Sequence, residues 1–228
     1  MKRLAPFAIV ALVLVASALF ATYLRSSIAK NGAAATDTKW SNETTTTPKA
    51  LPGAEPAHEK GPATAMLTLE EFADFECPAC GNLYPMLKVV EREYEGRLRV
   101  IFREFPLAQH EHAFTAARAA EAAGLQGKFW EMHDLLYQNR AVWPKANDVN
   151  AALEDYARTL ALDVGQFRKD QSSVTVRQRI QSDHDRGKSL RLRATPTLFL
   201  NGVEIPYEQM KNIEVLRRTL DHALTSSK

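Results

Sequence analysis

The stretch EFADFECPAC, residues 71–80, contains the only two cysteines of this 228-residue chain. A strand-like apolar segment precedes Cys77, and Pro78 opens a helical segment at the first helical position, where proline is well tolerated. A helix leaves its first N–H groups unpaired and carries partial positive charge at that end, so it favours a thiolate there. In such motifs the pKa of the leading cysteine falls from about 8.5 to roughly 3.5–7.5. The pattern therefore predicts a redox-active dithiol, with Cys77 as the nucleophile and Cys80 placed to attack a mixed disulfide at Cys77.

Two other interpretations of the cysteine pair compete with redox activity. A structural zinc site would need two more ligands, for which His110 and His112 are candidates, but a helix and a strand-length segment separate them from Cys80. A purely structural disulfide between Cys77 and Cys80 would close a loop too short to stabilise the fold much. Redox activity is favoured over both, and the sequence predicts neither a metal nor a cofactor.

The first 25 residues predict a membrane segment. Lys2 and Arg3 are followed by an uncharged, largely apolar run over residues 4–24, about long enough to cross a ~30 Å hydrocarbon core at about 1.5 Å per residue. Positive residues ahead of such a run favour a cytoplasmic N-terminus and export of the chain beyond the run. We therefore expect residues 1–25 to form a single-pass signal anchor in the inner (cytoplasmic) membrane of a bacterium.

A cleaved signal peptide is the alternative to an anchor, because Ala16-Ser17-Ala18 matches a cleavage site of small residues. The apolar residues that continue beyond it favour the anchor. Both interpretations place the catalytic domain on the extracytoplasmic, periplasmic side, where a thiol pair can be oxidised.

Composition divides the rest of the chain into a tether and one domain. Residues 26–62 are rich in Thr, Ala and Pro and predict a flexible linker. Residues 63–228 are long enough for one domain with a substantial core. The formal net charge of +2 and the charged fraction of 25% are ordinary, so nucleic-acid binding is not indicated. No dimerisation domain precedes the catalytic one, and a monomer is expected.

Periodicity and turn residues predict strands alternating with helices. The expected strands are 66–75, 98–103, 197–200 and 203–205, with an Asn-Gly hairpin turn between the last two. The expected helices are 78–95, containing Pro85, several across 112–191 including one long helix over 164–186, and an amphipathic helix over 207–224.

Several separate motifs resemble those of one known family, the DsbA-like thiol-disulfide oxidoreductases of the thioredoxin superfamily. Residues 71–80 look like its active-site stretch, and three later segments look like its other landmarks in the same order: FPL at 105–107, GKFWEMH at 127–133, and ATPT at 194–197 followed by Asn201-Gly202. The resemblance implies an α/β, thioredoxin-like fold with an inserted α-helical domain at about residues 108–191.

The resemblance also implies roles for residues near the cysteines. Thr195-Pro196 is similar to the cis-proline loop, whose preceding residue offers main-chain hydrogen bonds to a substrate strand. Pro78 and Ala79, between the cysteines, are expected to border the same substrate site. The most oxidising relatives have a histidine where Ala79 stands; because a histidine there can stabilise the thiolate, its absence predicts a weaker oxidant.

Glu71 resembles the buried acid that thioredoxin-like proteins often carry beneath the disulfide. A carboxyl group in an apolar setting has a raised pKa and could accept the proton of Cys80 as that thiol attacks. The alternative is an exposed strand residue, since adjacent Glu70 is also acidic and one of the two must face the other way. The sequence leaves both interpretations of Glu71 open.

The function expected from these features is a membrane-tethered, extracytoplasmic thiol-disulfide oxidoreductase that acts on cysteines of exported proteins, as an oxidase. A membrane redox protein is expected to recycle it. Disulfide reduction or isomerisation at the same site is one alternative, and a non-catalytic, chaperone-like binding module is another.

Overall fold

The computed structural model describes residues 50–226. Its strands are β1 (His58–Lys60), β2 (Leu67–Ala73), β3 (Leu98–Glu104), β4 (Thr197–Leu200) and β5 (Val203–Ile205). Its α-helices are α1 (Pro78–Glu93), α2 (Ala113–Leu125), α3 (Phe129–Gln138), α4 (Val149–Thr159), α5 (Val164–Gln171), α6 (Val174–Ser189), α7 (Tyr207–Met210) and α8 (Ile213–Ser226), and a 3₁₀ turn covers Trp143–Lys145.

The five strands form one sheet in the order β1-β3-β2-β4-β5. Strands β2 and β3 run parallel, while the other neighbouring strands pair antiparallel. Because parallel strands end at the same edge of a sheet, the cysteine loop after Ala73 and the segment after Glu104 emerge side by side. This edge becomes the candidate active site.

Alternation along β2 sends neighbouring side chains to opposite faces of the sheet. Leu67 and Leu69 join a core built with α1 and α8, whose contributions include Leu83, Leu87, Leu216 and Leu220. Phe72 lies in a separate cluster with Phe105 and Phe199. Glu71 therefore shares the α1 face, whereas Glu70 faces the other side, where Arg186 of α6 binds it.

Helices α2 to α6 occupy the chain between β3 and β4, as expected for a helical insertion. Their core contains the fully buried Trp143, Leu153 and Phe167 and the alanines of α2. The prediction of one long helix over 164–186 is wrong, because α5 ends at Gln171 and α6 begins at Val174. The Ser173 side chain accepts a hydrogen bond from the backbone N–H of Val176 at 3.1 Å and caps the new helix.

The C-terminal helix is also divided. The predicted single helix over 207–224 is instead the short α7 followed by α8, and Asn212 lies between them. Its side-chain oxygen accepts hydrogen bonds from the backbone N–H groups of Glu214 at 2.8 Å and Val215 at 3.4 Å. A side chain that satisfies these N–H groups starts a new helix at that point.

The predicted tether extends too far along the chain, because residues from Leu51 onward pack on the domain. The backbone N–H of Ala54 donates to Asp183 at 2.7 Å, and its carbonyl accepts from Arg103 at 2.9 Å. Strand β1 then pairs with β3 at the edge of the sheet. Thr, Pro and Ala composition predicted a linker here, but backbone hydrogen bonds to buried charged groups hold the segment in place.

Within residues 50–226 the structure contains no helix of the length and apolar character that membrane crossing requires. The predicted membrane segment at residues 4–24 and most of the predicted linker lie outside the described residues.

Candidate active site

Cys77 lies at the N-cap of α1, with Pro78 in the first helical position. Both cysteines are free thiols. Cys77 has 5% of its surface exposed, whereas Cys80, one turn along the helix, has none. Cys77 is therefore the more accessible of the two cysteines.

The pKa of Cys77 is lowered to about 5. Hydrogen bonding from the Cys80 thiol lowers it most, and the Thr195 side chain and the backbone N–H groups of Cys80 and Ala79 lower it further, whereas burial opposes them. Each of these groups favours a thiolate over a thiol. The helix terminus and its neighbours thus stabilise the Cys77 thiolate without a histidine between the cysteines.

Cys80 has the opposite environment. Burial raises the pKa of its thiol well above the ordinary value, and the Cys77 thiol, to which it donates, raises it further. At neutral pH the pair therefore holds one thiolate at Cys77 and one protonated thiol at Cys80. This asymmetry is what an attacking and a resolving thiol require.

The loop of Thr195 and Pro196 lies against Cys77, and the peptide bond between these two residues is cis. The Cys77 thiol donates to the Thr195 carbonyl oxygen, with 3.4 Å between sulfur and oxygen. The Thr195 hydroxyl is buried without a hydrogen-bond partner while Cys77 is a thiol, so it is free to donate to the thiolate. The structure brings all four predicted residues, Cys77, Cys80, Thr195 and Pro196, to one place.

The structure buries Glu71 on the face of the sheet that α1 covers. Its exposed fraction is 4%, and burial raises its pKa to about 8, helped by the negative charge of Glu91. Glu71 in turn raises the pKa of Cys80, which places the two groups within electrostatic reach. The exposed alternative for Glu71 is wrong, and its role as proton acceptor stays a prediction.

A groove borders Ala79, which lies between the cysteines, and the cis-proline loop. It comprises two adjoining cavities of about 440 and 240 Å³, which share Ala79, Pro196, Tyr207 and Met210 as lining residues. Arg191 and Arg193 also line the larger cavity. The predicted substrate-site residues Ala79, Thr195 and Pro196 therefore lie on the groove wall. Pro78 is at the neighbouring helix start.

Sequence reasoning missed one pair of residues at this edge of the sheet. Asp74, at the end of β2, is buried, and its carboxylate accepts a hydrogen bond from His110 Nδ1 at 2.7 Å. The sequence suggests only a zinc ligand or a polar helix-start residue for His110. The parallel pairing of β2 with β3 was the available signal, because it predicts that the segments after both strands converge. Among residues 50–226, no three His, Cys, Asp or Glu side chains are grouped to bind a metal ion.

Two solved structures share this fold across most of the chain. BdbD from Bacillus subtilis, in its oxidised form, matches with a TM-score of 0.66 and 19% identity over 77% of this chain and 98% of that one. The alpha-DsbA1 of Wolbachia pipientis matches with a TM-score of 0.68 and 18% identity over 78% of this chain and 95% of that one. The chain therefore shares the thioredoxin-like fold of these two proteins. Within the thioredoxin superfamily, a family model described as thioredoxin (Thioredoxin_4) matches residues 54–222, and the chain belongs to that family.

Curated relatives of similar sequence are named as Na(+)/H(+) antiporters. The Na(+)/H(+) antiporter NhaA 1 of Salinispora arenicola is 36% identical over 172 residues, which are 75% of this chain and 25% of that protein. The antiporter NhaA of Herminiimonas arsenicoxydans is 34% identical over 189 residues, 82% of this chain and 29% of that protein. The chain thus spans about a quarter of the length of these relatives, whose names describe the whole proteins.

Proposed function

We propose that this protein is a membrane-tethered, extracytoplasmic thiol-disulfide oxidoreductase that oxidises cysteines of exported proteins. The observation that carries the proposal is the unequal pair at the cis-proline loop: Cys77 with a pKa of about 5, and Cys80 buried beneath it with a raised pKa. Any group that stabilises the Cys77 thiolate stabilises the reduced form alone. Stabilising the reduced form makes a dithiol couple more oxidising.

The oxidising reaction begins with the Cys77–Cys80 disulfide. A substrate thiolate attacks the Cys77 sulfur, the bond between the two cysteines breaks, and Cys80 leaves with the electron pair. Because Cys80 is enclosed, its thiolate needs a proton, and the neutral carboxyl group of Glu71 can supply it. A second substrate thiolate then attacks the substrate sulfur of the mixed disulfide and releases Cys77 as a thiolate. A low pKa makes Cys77 a good leaving group in this step.

Each cycle leaves the substrate with a disulfide and the protein with two thiols. Two electrons must then pass to another acceptor, and we assign this role to a membrane redox partner. The predicted anchor at residues 4–24 would keep the domain close to such a partner, on the outer side of a bacterial inner membrane. The domain itself is expected to act as a monomer.

The groove supports binding of an extended substrate segment. A strand laid along Thr195 can form main-chain hydrogen bonds beside the Cys77 sulfur, while its side chains contact Ala79, Pro196 and Met210. Main-chain pairing tolerates many sequences, which suits a protein that acts on varied exported substrates.

Two alternative functions use the same features. In disulfide reduction or isomerisation, the Cys77 thiolate attacks a substrate disulfide and Cys80 resolves the product. In a chaperone-like binding module, the groove binds unfolded segments and the cysteines take no part.

Refolding of reduced ribonuclease separates the three functions. The wild-type protein, first oxidised, should restore ribonuclease activity while losing its own disulfide, and the Cys77→Ser variant should not. Faster reduction of insulin than oxidation of ribonuclease, with a redox potential below that of glutathione, would establish a reductase instead. Equal refolding yields from wild type and the Cys77→Ser variant would establish a binding module.

A further inference from the structure

The carboxylate of Asp74 organises the segment before the cysteines. One of its oxygens accepts from the backbone N–H of Glu76 at 2.8 Å, and the other accepts from the backbone N–H of Leu107 at 2.9 Å and from His110. The Asp74 main-chain carbonyl accepts from the N–H of Cys77 at 3.1 Å. Asp74 therefore connects the cysteine loop directly to the imidazole of His110.

His110 is fixed in orientation by this contact. An ionised carboxylate can only accept hydrogen bonds, so Nδ1 of His110 is the donor, and Nε2 is left to gain or lose a proton. The side chain of His110 is 19% exposed, whereas that of Asp74 is fully buried. The imidazole is thus half-enclosed at the edge of the sheet where α1 begins.

The charges around His110 favour its cationic form. Burial by itself lowers the pKa of the imidazole, but the hydrogen bond and charge of Asp74 outweigh it, and the charges of Cys77 and Glu76 raise the pKa further. The groups that contact Glu76 are the backbone N–H of His112, which donates to the Glu76 carboxylate at 2.6 Å, and the Arg140 side chain, which donates to the Glu76 carbonyl at 3.4 Å. His112 also lies 4.0 Å from Glu111.

We propose that His110 is a positioning residue for the redox pair: its imidazolium, oriented by Asp74, stabilises the Cys77 thiolate in place of a histidine at position 79. The proposal rests on the proposed redox use of Cys77 and Cys80. Asp74 alone would repel a thiolate, and the protonated imidazole offsets that repulsion. The cation that the cysteine motif lacks comes from the segment after β3.

A proton-coupled redox couple results from this arrangement. In the disulfide form Cys77 carries no charge, so the imidazole loses one of the groups that favour its proton. Reduction breaks the sulfur–sulfur bond, adds two electrons, protonates Cys80 and leaves a thiolate at Cys77. His110 then has a lower pKa in the disulfide form than in the dithiol form. At pH values between these two, reduction also adds a proton to the imidazole. The reduced form is then stabilised less as the pH rises and His110 becomes neutral.

The first test compares the His110 imidazole in the two redox states by NMR, in the wild-type protein. Its pKa should be higher in the dithiol form than in the disulfide form, whereas the pKa of His112, the matched control, should change less. Equal pKa values of His110 in the two states would overturn the proposal. This measurement needs no variant and is independent of substrate turnover.

The second test replaces the imidazole with an amide that can still donate to Asp74. In His110→Asn the acid dissociation constant of the Cys77 thiol should fall roughly threefold to tenfold, as for loss of a half-buried charge pair. Thiolate absorbance against pH measures this constant. His112→Asn should leave it unchanged. No change in His110→Asn, or an equal change in His112→Asn, would contradict the proposal.

The same samples distinguish failure of this proposal from failure of the proposed function. If the wild-type protein oxidises ribonuclease but His110 has the same pKa in both redox states, the proposed function holds and the positioning role is refuted. Conversely, a redox-dependent pKa of His110 in a protein that oxidises no substrate supports the positioning role and refutes the oxidase.

Discussion

Glu71 carries its carboxyl group into the apolar core under α1, where a charge is poorly solvated. An unfolded chain releases the proton of a glutamate near 4.5, but the folded protein holds the proton of Glu71 up to a pKa of about 8. Between these values the folded state binds more protons than the unfolded state. The free energy of unfolding therefore falls as the pH rises from about 4.5 to about 8. An acid kept at such a position destabilises the fold at neutral pH, which fits a catalytic use.

Replacing Glu71 with glutamine should remove this pH dependence. We expect Glu71→Gln to be more stable than wild type by a few kcal/mol at pH 8 and equal to it at pH 4.5, since one pKa unit corresponds to about 1.4 kcal/mol. At pH 8, where a large part of the Glu71 carboxyl groups is ionised, release of substrate from the Cys77 mixed disulfide by Cys80 should slow by roughly a hundredfold, because an amide cannot accept the Cys80 proton. Urea unfolding at the two pH values and single-turnover reduction measure these effects. The variant Glu95→Gln, at an exposed position, is the control. An equal stability difference between wild type and Glu71→Gln at both pH values would contradict the prediction.

The unequal environments of the two thiols predict unequal reactivity. In the reduced protein only Cys77 should react quickly with iodoacetamide near neutral pH, because only Cys77 has both a thiolate and exposed surface. The Cys80→Ser variant should accumulate mixed disulfides with substrate, whereas Cys77→Ser should not. Mass spectrometry of alkylated peptides gives the result directly. Equal labelling of both cysteines would refute the assignment of Cys77 as nucleophile.

Position 79 offers a direct way to change the redox potential. Ala79→His should stabilise the thiolate at the helix end by about 1 kcal/mol and so raise the potential by roughly 20 mV. The pKa of Cys77 should fall in the same variant, because both effects have one cause. A glutathione titration measures the potential, and Asn82→His, a turn along the same helix, serves as the control. An unchanged potential in Ala79→His would mean that the dipeptide does not set the redox properties here.

At the scale of whole elements, one buried group of charges joins the sheet, helix α6 and the segment before β1. Arg103 of β3 contacts Glu70 of β2 at 2.8 Å and Asp183 of α6 at 3.0 Å, and it also donates to the carbonyl of Ala54. Arg186 provides a second cation for Glu70 at 2.7 Å. This network explains why Glu70, a charged residue, is tolerated on a buried face of β2.

Removal of the Arg103 guanidinium should therefore strongly destabilise the fold. Arg103→Met would leave Asp183 buried with no cation in contact and Glu70 with Arg186 alone. We expect the free energy of unfolding to fall by about 3–5 kcal/mol, the usual effect of breaking a buried ion pair. The exposed Arg218→Met variant should change stability by less than about 0.5 kcal/mol. Denaturant unfolding compares the two, and equal stabilities would show that the network contributes little.

The element boundaries that the sequence mispredicted share one cause. The segment 164–186 is largely polar and the segment 207–224 is amphipathic, and neither pattern of hydrophobic residues locates an interruption. Ser173 and Asn212 interrupt both segments by satisfying backbone N–H groups from outside the helix. Capping residues of this kind can be recognised in the sequence, but they end or begin a helix only where the chain changes direction to pack against the rest of the domain.

For the molecule as a whole, we expect the predicted membrane segment at residues 4–24 to determine where the domain works. If residues 4–24 form an anchor, the native protein should sediment with membranes and resist extraction by carbonate. A variant with two leucines of this run replaced by lysine should be released or fail to be exported, whereas a leucine-to-isoleucine pair should behave as wild type. A mature N-terminus near Leu19, detected by mass spectrometry, would replace the anchor with a cleaved signal peptide.

Local features in the sequence determined much of the fold. Cys77 before Pro78 predicted the helix start, and the Asn201-Gly202 pair predicted the hairpin of β4 and β5; both are observed. These signals act over a few residues, where backbone geometry and unpaired N–H groups dominate. The family resemblance then predicted the cis-proline loop beside the cysteines, which no local rule would have placed there.

Only the tertiary structure decided which distant groups meet. Thr195 reaches Cys77 across 118 positions, Asp183 reaches Arg103 across 80, and His110 reaches Asp74 across 36. Each contact depends on the pairing of β2 with β3 and on how the inserted helices pack against the sheet. A small change in that packing would separate the groups. The charge that faces a thiolate, and the burial that gives Glu71 its pKa, are therefore properties of the packed chain.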